Sequence, residues 1–355
     1  MDHKDPWLAG RKPAFQRSQS PVEAPLSDSV PKPSRQSLSR GLSEVFSAEI
    51  AARGPLRVRH RRTSPRVSTY PADVVLVEFA NGSREHLLCK YAHGVEHAAF
   101  SPHQGLAYEA LVYSSLLRHD PVLLPRYWGS FKDDETGDLA FVMRFYPGAM
   151  SASQACEWGA MTDLIRWMAA FHAWGESQVA EPSWQFLKRY DEAYYVHWLD
   201  LTCALARPLA HEFPWLDQVA SAYRERVPLL TRQRQTIIHG ELTTGNTIWA
   251  DGRIMVIDWE TTAVGPAEID LALITFDWDL EDVRSMEALY VQARWQGSPP
   301  AGFADVMLAA RLYVAYHWIF SSPDDRDDAR VRMHLETVRR KAARWGIIPA
   351  SYLIP

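Results

Sequence analysis

Cysteine is scarce in this chain of 355 residues, and no apolar run of membrane-spanning length is present. The three cysteines, Cys89, Cys156 and Cys203, are odd in number and lie far apart, which argues against a disulfide framework or a cysteine-based metal cluster. The longest apolar stretch, residues 307–320, is interrupted by Arg311 and is too short to cross a bilayer. These absences indicate a reducing compartment, and we expect a cytoplasmic protein that does not associate with a membrane.

The chain also lacks an excess of positive charge and a recognisable targeting segment. Lys and Arg total 38 against 43 Asp and Glu, so the formal net charge is -5 and gives no electrostatic reason to expect nucleic acid as a partner. Residues 1–42 are rich in Pro, Ser, Arg and Lys and lack the apolar core of a signal peptide. Because such a composition cannot offset the entropy of ordering, we predict a flexible extension there. The alternative is a segment that contacts a protein partner.

The remaining composition is that of a packed globular protein. Hydrophobic residues make up 47% of the chain and tryptophan occurs 14 times, which is not the composition of a disordered protein. The length is sufficient for two lobes or for one large domain.

Residues 238–267 carry the strongest chemical signal, with the sequence IHGELTTGNTIWADGRIMVIDWETTAVGPA. Glu241 stands five positions before Asn246, and Asp258 follows an apolar run. Paired apolar runs on either side of an Asp-Gly dipeptide predict a hairpin that brings Asn246 and Asp258 to one edge. Their oxygens are suitable ligands for Mg²⁺. A further carboxylate near an incoming hydroxyl completes what phosphoryl transfer requires.

Two segments, His239-Gly-Glu-Leu-x-x-x-Asn246 and Ile257-Asp-Trp-Glu260, resemble the paired motif of the aminoglycoside phosphotransferase and choline kinase superfamily. The family motif usually reads His-Gly-Asp, whereas this chain has Glu241. The extra methylene moves the carboxylate by roughly one C–C bond, and a misplacement of about 1 Å can cost on the order of 100-fold in rate. The chain is either a working kinase whose loop accommodates the longer acid or a phosphotransferase-like protein with weakened chemistry.

The resemblance implies an α+β, two-lobed protein-kinase-like fold. We expect a nucleotide-binding N-lobe with a small antiparallel sheet in residues 43–148, after the extension of residues 1–42. A mostly helical C-lobe in residues 149–355 would carry catalysis and acceptor binding. The cofactors implied are ATP and Mg²⁺.

The resemblance also implies roles for side chains of the motif. The catalytic group would consist of Glu241, which orients or deprotonates the acceptor hydroxyl, His239, which braces the loop, and Asn246. Asn246 and Asp258 would bind Mg²⁺, with Glu260 assisting a second metal ion.

The N-terminal half contains candidates for nucleotide binding. Lys90 lies on a predicted third strand, and Glu109 lies beside the apolar face of a helix predicted at residues 104–118. In the resembling kinases such a lysine meets the nucleotide phosphates and is held by the helical acid. Residues 62–69 contain no glycine, unlike the phosphate loop of protein kinases. Ser68 and neighbouring hydroxyls are therefore the candidate phosphate donors, with a solvated turn as the alternative.

Three further features have expected structural roles. Asp270 resembles the family's Asp-Leu-Ala helix start, and we expect it to cap that helix and hold the catalytic loop. His172, in a segment that resembles the family's Leu-His-Ala helix, is expected to be a packed structural residue. Residues 139–146 are interpreted as an edge strand that links the lobes and faces the adenine.

The acceptor pocket is expected among the helices after Asp270. The acidic residues 277–282 could attract a cationic acceptor, although acids are also typical of a solvated helix start. A possible aromatic wall for a quaternary amine consists of Trp278, Trp295, Tyr316 and Trp318, although aromatic residues at helical spacing are more often core.

These features predict ATP- and Mg²⁺-dependent transfer of a γ-phosphoryl group to a hydroxyl of a small molecule or natural-product intermediate. The acceptor classes left open are aminoglycoside-like molecules, choline-like molecules and peptidyl Ser or Thr. The alternative is a catalytically weak or silent kinase-fold protein that acts as a binding scaffold.

Overall fold

A computed structural model describes residues 32–64, 70–92, 103–116, 124–152, 158–317 and 328–353. The chain divides into two compact units. Unit 1 comprises Met1–Trp167 and Thr243–Thr261, and unit 2 comprises Met168–Leu242 and Thr262–Pro355. The predicted division after residue 148 differs from this one, because the segment that contains the catalytic hairpin packs with the N-terminal half of the chain.

Unit 1 is built on a five-stranded antiparallel sheet. Its strands are β1 (Leu56–Thr63), β2 (Ala72–Phe79), β3 (Arg84–Tyr91), β4 (Tyr127–Lys132) and β5 (Leu139–Arg144). Their order across the sheet is β1-β2-β3-β5-β4. The strand predicted at the sheet edge, β5, is therefore an inner strand. That prediction was wrong because β4, which the sequence pattern did not reveal, pairs along the outer side of β5.

Two helices precede the sheet, α1 (Arg35–Val45) and α2 (Ser47–Arg53). Ser34 caps α1 by accepting a hydrogen bond from the Ser37 N–H at 3.2 Å. Leu38 and Leu42 are completely buried in the same core cluster as residues of the sheet. The flexible extension predicted for residues 1–42 is therefore wrong for its last part, because two leucines on one helix face have apolar partners there. Residues 1–31 lie outside the described residues.

The predicted catalytic hairpin is present in unit 1. It consists of β9 (Thr247–Ala250) and β10 (Arg253–Val256), and β6 (Met150–Ser151) pairs with β9 on the other side. The two turn residues, Asp251 and Gly252, have φ values of 53° and 72°. Positive φ at both central residues is required by the tight hairpin turn that an Asp-Gly dipeptide favours.

Unit 2 is mostly helical. Helix α3 (Leu106–Leu116) belongs to unit 1, and α4 (Trp158–Gln178) begins in unit 1 and continues into unit 2. The other helices are α5 (Glu192–Ala206), α6 (Leu216–Arg232), α7 (Glu268–Thr275), α8 (Leu280–Trp295), α9 (Phe303–His317) and α10 (Asp328–Arg344). Short 3-10 turns lie at Pro182–Trp184, Arg207–Leu209, Trp259–Thr261 and Ala350–Leu353. The helical character predicted for this half is confirmed.

A small sheet supports the segment that leads to Glu241. It contains β7 (Lys188–Arg189), β11 (Ala263–Pro266) and β8 (Gln235–Ile238), in that order. Helix α4 approaches β8 closely at Gly175, where an added Cβ would lie 2.4 Å from the Thr236 Oγ1. Glycine is therefore needed at this contact, which fixes the strand before the catalytic loop against α4.

Within the described ranges, no helix is both long enough and apolar enough to cross a membrane.

The packing of α1 leads to a stability prediction. We expect Leu38→Ala to lower the free energy of unfolding by about 2–5 kcal/mol, because it removes a completely buried side chain and leaves a cavity. Gln36→Ala is the matched control, since Gln36 is exposed on the same helix. Urea unfolding of both variants checks this. Equal midpoints for the two variants would show that α1 does not belong to the folded core.

Candidate active site

Lys90 is held by two carboxylates in unit 1. It lies on β3 and is only 4% exposed. Its Nζ donates to Oε1 and Oε2 of Glu109 at 3.0 and 3.1 Å, and it also contacts the carboxylate of Asp258. Glu109 lies on α3 and is completely buried. The predicted pairing of the strand lysine with the helical glutamate is therefore present in the structure.

The electrostatics of this cluster keep the lysine charged. Burial alone lowers the pKa of Lys90, but the carboxylates of Asp258 and Glu109 outweigh it, so the pKa is raised above its usual value. For Glu109, burial and the negative charges of Asp258 and Glu260 raise the pKa, while the attraction of Lys90 opposes this rise. The positive charge of Lys90 is thus shared by the carboxylates of Glu109 and Asp258. Such a site favours additional positive charge.

Asp258 has an unusual backbone conformation. Its φ is 61°, in the left-handed region that few residues other than Gly, Asn and Asp adopt. Non-glycine residues in this region often occur at functional sites. The conformation turns the chain directly after β10, at the position where Asp258 meets Lys90.

Asn246 and Asp258 lie at the same end of the hairpin. The ladder continues beyond β9 and β10, because the Ile257 N–H donates to the Asn246 carbonyl oxygen at 2.9 Å. The Asn246 N–H in turn donates to the carbonyl oxygen of Thr243 at 3.2 Å. The backbone pairing therefore places Asn246 opposite Ile257, the residue before Asp258, so that both predicted ligands lie at the open edge of the hairpin in unit 1.

These two side chains fit a magnesium site of the open kind. Mg²⁺ prefers oxygen ligands and usually takes one or two protein carboxylates, with water and phosphate completing the shell. In the described parts of the chain, no group of three or more His, Cys, Asp or Glu side chains forms a ready metal site.

Glu260 is engaged by other protein groups in unit 1. It is 4% exposed and accepts a hydrogen bond from the Tyr70 hydroxyl at 3.0 Å, and its Oε1 lies 3.1 Å from the His103 Nδ1. Burial raises the pKa of Glu260, but the contacts with His103, Lys90 and Tyr70 outweigh it and lower the pKa. Sequence reasoning missed Tyr70 and His103, because neither stands in a motif. A metal-binding role for Glu260 stays a prediction, and Ser68 lies outside the described residues.

The loop that carries Glu241 is organised within unit 2 by Asp270. This carboxylate is completely buried and accepts the N–H groups of His239 at 2.7 Å and of Gly240 at 2.9 Å. The Glu241 N–H donates to the Nδ1 of His239 at 3.2 Å. Asp270 therefore holds the loop, as expected. It does not cap α7, because the cap position is Ala267 and both carboxylate oxygens of Asp270 are used by the loop.

The structure thus places the candidate residues in two sets. Lys90, Glu109, Asn246, Asp258 and Glu260 lie in unit 1, and His239 and Glu241 lie in unit 2.

Comparison with known proteins identifies the family. Residues 72–304 match the model of the phosphotransferase enzyme family. The chain belongs to this family. Solved structures similar to this chain include aminoglycoside phosphotransferases and choline kinases, and together with the family match they confirm the predicted superfamily and its kinase-like α+β fold. No curated protein sequence gives a significant match.

Three solved structures to which this chain is similar are described by their sequence identity, TM-score and coverage. A GDP complex of aminoglycoside 2′-phosphotransferase-IIIa is 13% identical with a TM-score of 0.60, over 86% of this chain and 98% of that chain. Choline kinase from Cryptosporidium parvum is 13% identical with a TM-score of 0.55, over 88% and 100%. The AMP complex of LicA, a choline kinase of Streptococcus pneumoniae, is 14% identical with a TM-score of 0.53, over 87% and 98%.

The side chains that the sequence suggested for an acceptor pocket have structural partners in unit 2. Asp279 caps α8 by accepting the N–H groups of Glu281 and Asp282, both at 3.0 Å. This favours the helix-start interpretation of residues 277–282. Tyr316 is completely buried and stacks on Tyr223 with ring centroids 5.4 Å apart, which favours core packing over an aromatic wall.

Trp295 also packs within unit 2, with its ring centroid 5.7 Å from that of Tyr290 and 5.5 Å from that of Phe303. Trp278 is half-buried, and Trp318 lies outside the described residues.

The buried ion pair of this phosphotransferase generates a prediction. We expect Lys90→Met to lower the free energy of unfolding by about 3–5 kcal/mol, because Glu109 and Asp258 then remain without their cation. The double variant Lys90→Met/Glu109→Gln should recover part of this loss, since it removes one uncompensated carboxylate. Thermal and urea unfolding measure both effects.

Lys132→Met is the control for this pair of variants, because Lys132 is exposed on β4 of the same unit. A double variant that is less stable than Lys90→Met would contradict the electrostatic explanation.

Proposed function

We propose that this protein transfers the γ-phosphoryl group of ATP to a hydroxyl of a small-molecule acceptor, with Mg²⁺ as the cofactor. The observation that carries the proposal is the arrangement in unit 1. Lys90 lies between Glu109 and Asp258, and at the open end of the hairpin Asn246 precedes the first strand while Asp258 follows the second. A lysine on a strand, with an amide and a carboxylate beside the ends of two further strands, provides the groups that phosphoryl transfer requires around a nucleotide.

Lys90 is proposed to bind the nucleotide phosphates. Its raised pKa keeps the ammonium group charged, and Glu109 fixes its position from α3. A bound phosphate would share the ammonium group with Asp258, and the Mg²⁺ that accompanies the nucleotide would supply the additional positive charge that these acids favour. Relatives support a nucleotide at this kind of site, because their structures contain GDP and AMP.

Asn246 and Asp258 are proposed to hold the metal ion. When bound, Mg²⁺ neutralises charge on the phosphate oxygens and orients the group that is transferred. The left-handed backbone at Asp258 sets the direction of its carboxylate, while the ladder bond from Ile257 fixes the backbone of Asn246.

Glu241 is proposed to orient the acceptor hydroxyl and accept its proton. The side chain is partly exposed, so a substrate can reach it, and its backbone N–H is tied to the His239 ring. The compared relatives are named for small-molecule acceptors, which supports a small molecule over a peptide as the acceptor.

The first test asks whether the protein binds ATP and Mg²⁺, which the proposed enzyme requires and a scaffold without a nucleotide site would not do. We expect ATP with Mg²⁺ to raise the melting temperature of the full chain, and ATP with EDTA to raise it less. Asp258→Asn keeps the shape of the side chain and tolerates the left-handed backbone, but it removes the charge and should reduce the Mg²⁺-dependent part. Absence of any nucleotide-dependent stabilisation in the parent protein would reject the proposal.

The second test concerns Glu241. Transfer of labelled phosphate to a panel of aminoglycosides and choline-like amines should fall by about 10²–10⁴-fold in Glu241→Gln, because a positioned acid–base group contributes about that much. The thermal shift with ATP and Mg²⁺ should remain. Glu241→Asp should retain or raise transfer, since the carboxylate is kept.

Glu225→Gln serves as the control for Glu241→Gln, because Glu225 is an exposed acid in the same unit. Loss of nucleotide binding in both the Gln and Asp variants of Glu241 would contradict the role assigned to this acid.

A further inference from the structure

A continuous hydrogen-bonded chain runs through unit 2 and ends at the loop that carries Glu241. It begins at Glu176 on α4, whose carboxylate pairs with Arg294 on α8. Arg294 also contacts the hydroxyl of Tyr290, one helical turn earlier on α8. The Tyr290 hydroxyl lies 2.8 Å from the Nδ1 of His172 on α4. These contacts connect α4 with α8. His172 and Tyr290 are 118 residues apart in the chain.

The second part of the chain reaches the loop. The Nε2 of His172 lies 3.1 Å from the Oδ2 of Asp270. The same Oδ2 accepts the N–H of His239, and Oδ1 accepts the N–H of Gly240. The last link is the bond from the Glu241 N–H to the His239 ring.

The chemistry of three of these groups assigns the bond directions. A guanidinium group has only donors, so Arg294 donates to the oxygen of Tyr290. An ionised carboxylate only accepts, so the Nε2 of His172 donates to Asp270. A neutral imidazole carries its hydrogen on one nitrogen only, so the Nδ1 of His172 accepts the hydrogen of the Tyr290 hydroxyl.

Burial keeps water from replacing the partners in these hydrogen bonds. His172, Tyr290 and Asp270 are completely buried, and the side chain of Arg294 is only 3% exposed. Burial lowers the pKa of His172, and the charge of Arg294 adds to this effect, against the opposing influence of Asp270. His172 is thus neutral near pH 7, and its tautomer is a real choice between two states.

We propose that Tyr290 and Arg294 are positioning residues, which add to the effect of the Asp270 carboxylate in favouring the Nε2–H tautomer of His172 and so keep Asp270 on the catalytic loop. In the other tautomer, a lone pair of His172 would face the carboxylate of Asp270. Repulsion would turn Asp270 away and leave the buried N–H groups of His239 and Gly240 without acceptors, which is unfavourable. The role in catalysis rests on the proposed function, whereas the tautomer and the loop do not.

The consequence for catalysis follows from the position of Glu241. Its backbone is tied through His239 to the segment that Asp270 holds. A displacement of a reacting group by about 1 Å can reduce a rate on the order of 100-fold. A partial loss of order in the loop should therefore lower kcat, while nucleotide affinity, which depends on groups of unit 1, should change little.

The test compares Tyr290→Phe with Tyr313→Phe in the full chain. Tyr313 is also completely buried in unit 2, and its hydroxyl lies 3.1 Å from that of Tyr194, so its loss costs a buried hydroxyl without touching this chain. Arg294→Met is a second variant, which frees the Tyr290 hydroxyl but leaves it in place. Its former partner Glu176 is partly exposed and can reach water.

The first readout is the ¹⁵N spectrum of histidine-labelled protein, with the His172 signals assigned by their loss in His172→Gln. We expect an unprotonated Nδ1 and a protonated Nε2 in the parent protein and in Tyr313→Phe. Tyr290→Phe and Arg294→Met should show a mixture of tautomers and faster hydrogen exchange at the His239 and Gly240 amides. A protonated Nδ1 in the parent protein, or an unchanged spectrum and exchange rate in both variants, would overturn the proposal.

The second readout is kinetic. We expect kcat to fall by roughly tenfold in Tyr290→Phe, about the factor that corresponds to one lost hydrogen bond, with KM for ATP unchanged. Tyr313→Phe should leave both constants unchanged. A rise in KM without a fall in kcat would overturn the positioning role. If the parent protein shows no transfer to any acceptor, the proposed function fails, while the spectrum still decides the tautomer.

Discussion

Charged groups removed from water are stable only when protein partners replace the lost hydration, and this constraint organises both units. In unit 1 it holds Lys90 between Glu109 and Asp258. In unit 2 it gives Asp270 two backbone N–H donors and the ring of His172. In both places the geometry of the site is set by the need to satisfy a buried charge. Apolar packing supplies the rigid helices and strands from which these charges extend.

The local parts of the site could be predicted from the sequence because they depend on short-range physics. The hairpin follows from two apolar runs around Asp251 and Gly252, whose positive φ values suit the turn. The apolar run directly before Lys90 placed it on a strand, and helical spacing placed Glu109 on a helix. Motif resemblance then related these elements to one chemistry. Each of these inferences used residues within one element or in adjacent elements.

The parts that were missed or wrong depend on contacts between distant segments. Tyr70 and Glu260 are separated by 190 residues, and no periodicity signals such a pair. Asp270 was expected both to cap a helix and to hold the catalytic loop, and only the capping was wrong, because its carboxylate binds backbone N–H groups 30 and 31 residues earlier. Leu38 was assigned to a flexible segment on local composition alone. Its apolar partners lie in the sheet, far along the chain, and local composition does not reveal them. Tertiary contacts decided each case.

The contacts of Asp270 also bear on the substitution of glutamate for aspartate at position 241. Since both oxygens of Asp270 hold the backbone of His239 and Gly240, and the next N–H is bound by the His239 ring, the loop cannot easily retract to offset a longer side chain. The extra methylene extends the reach of Glu241 by about 1.5 Å and adds one torsion that must be ordered. The longer acid must therefore be accommodated by folding of its own side chain or, in the proposed reaction, by the position of the acceptor hydroxyl. If Glu241 acts as proposed, this fixed backbone makes the length of the acid a determinant of which acceptor fits.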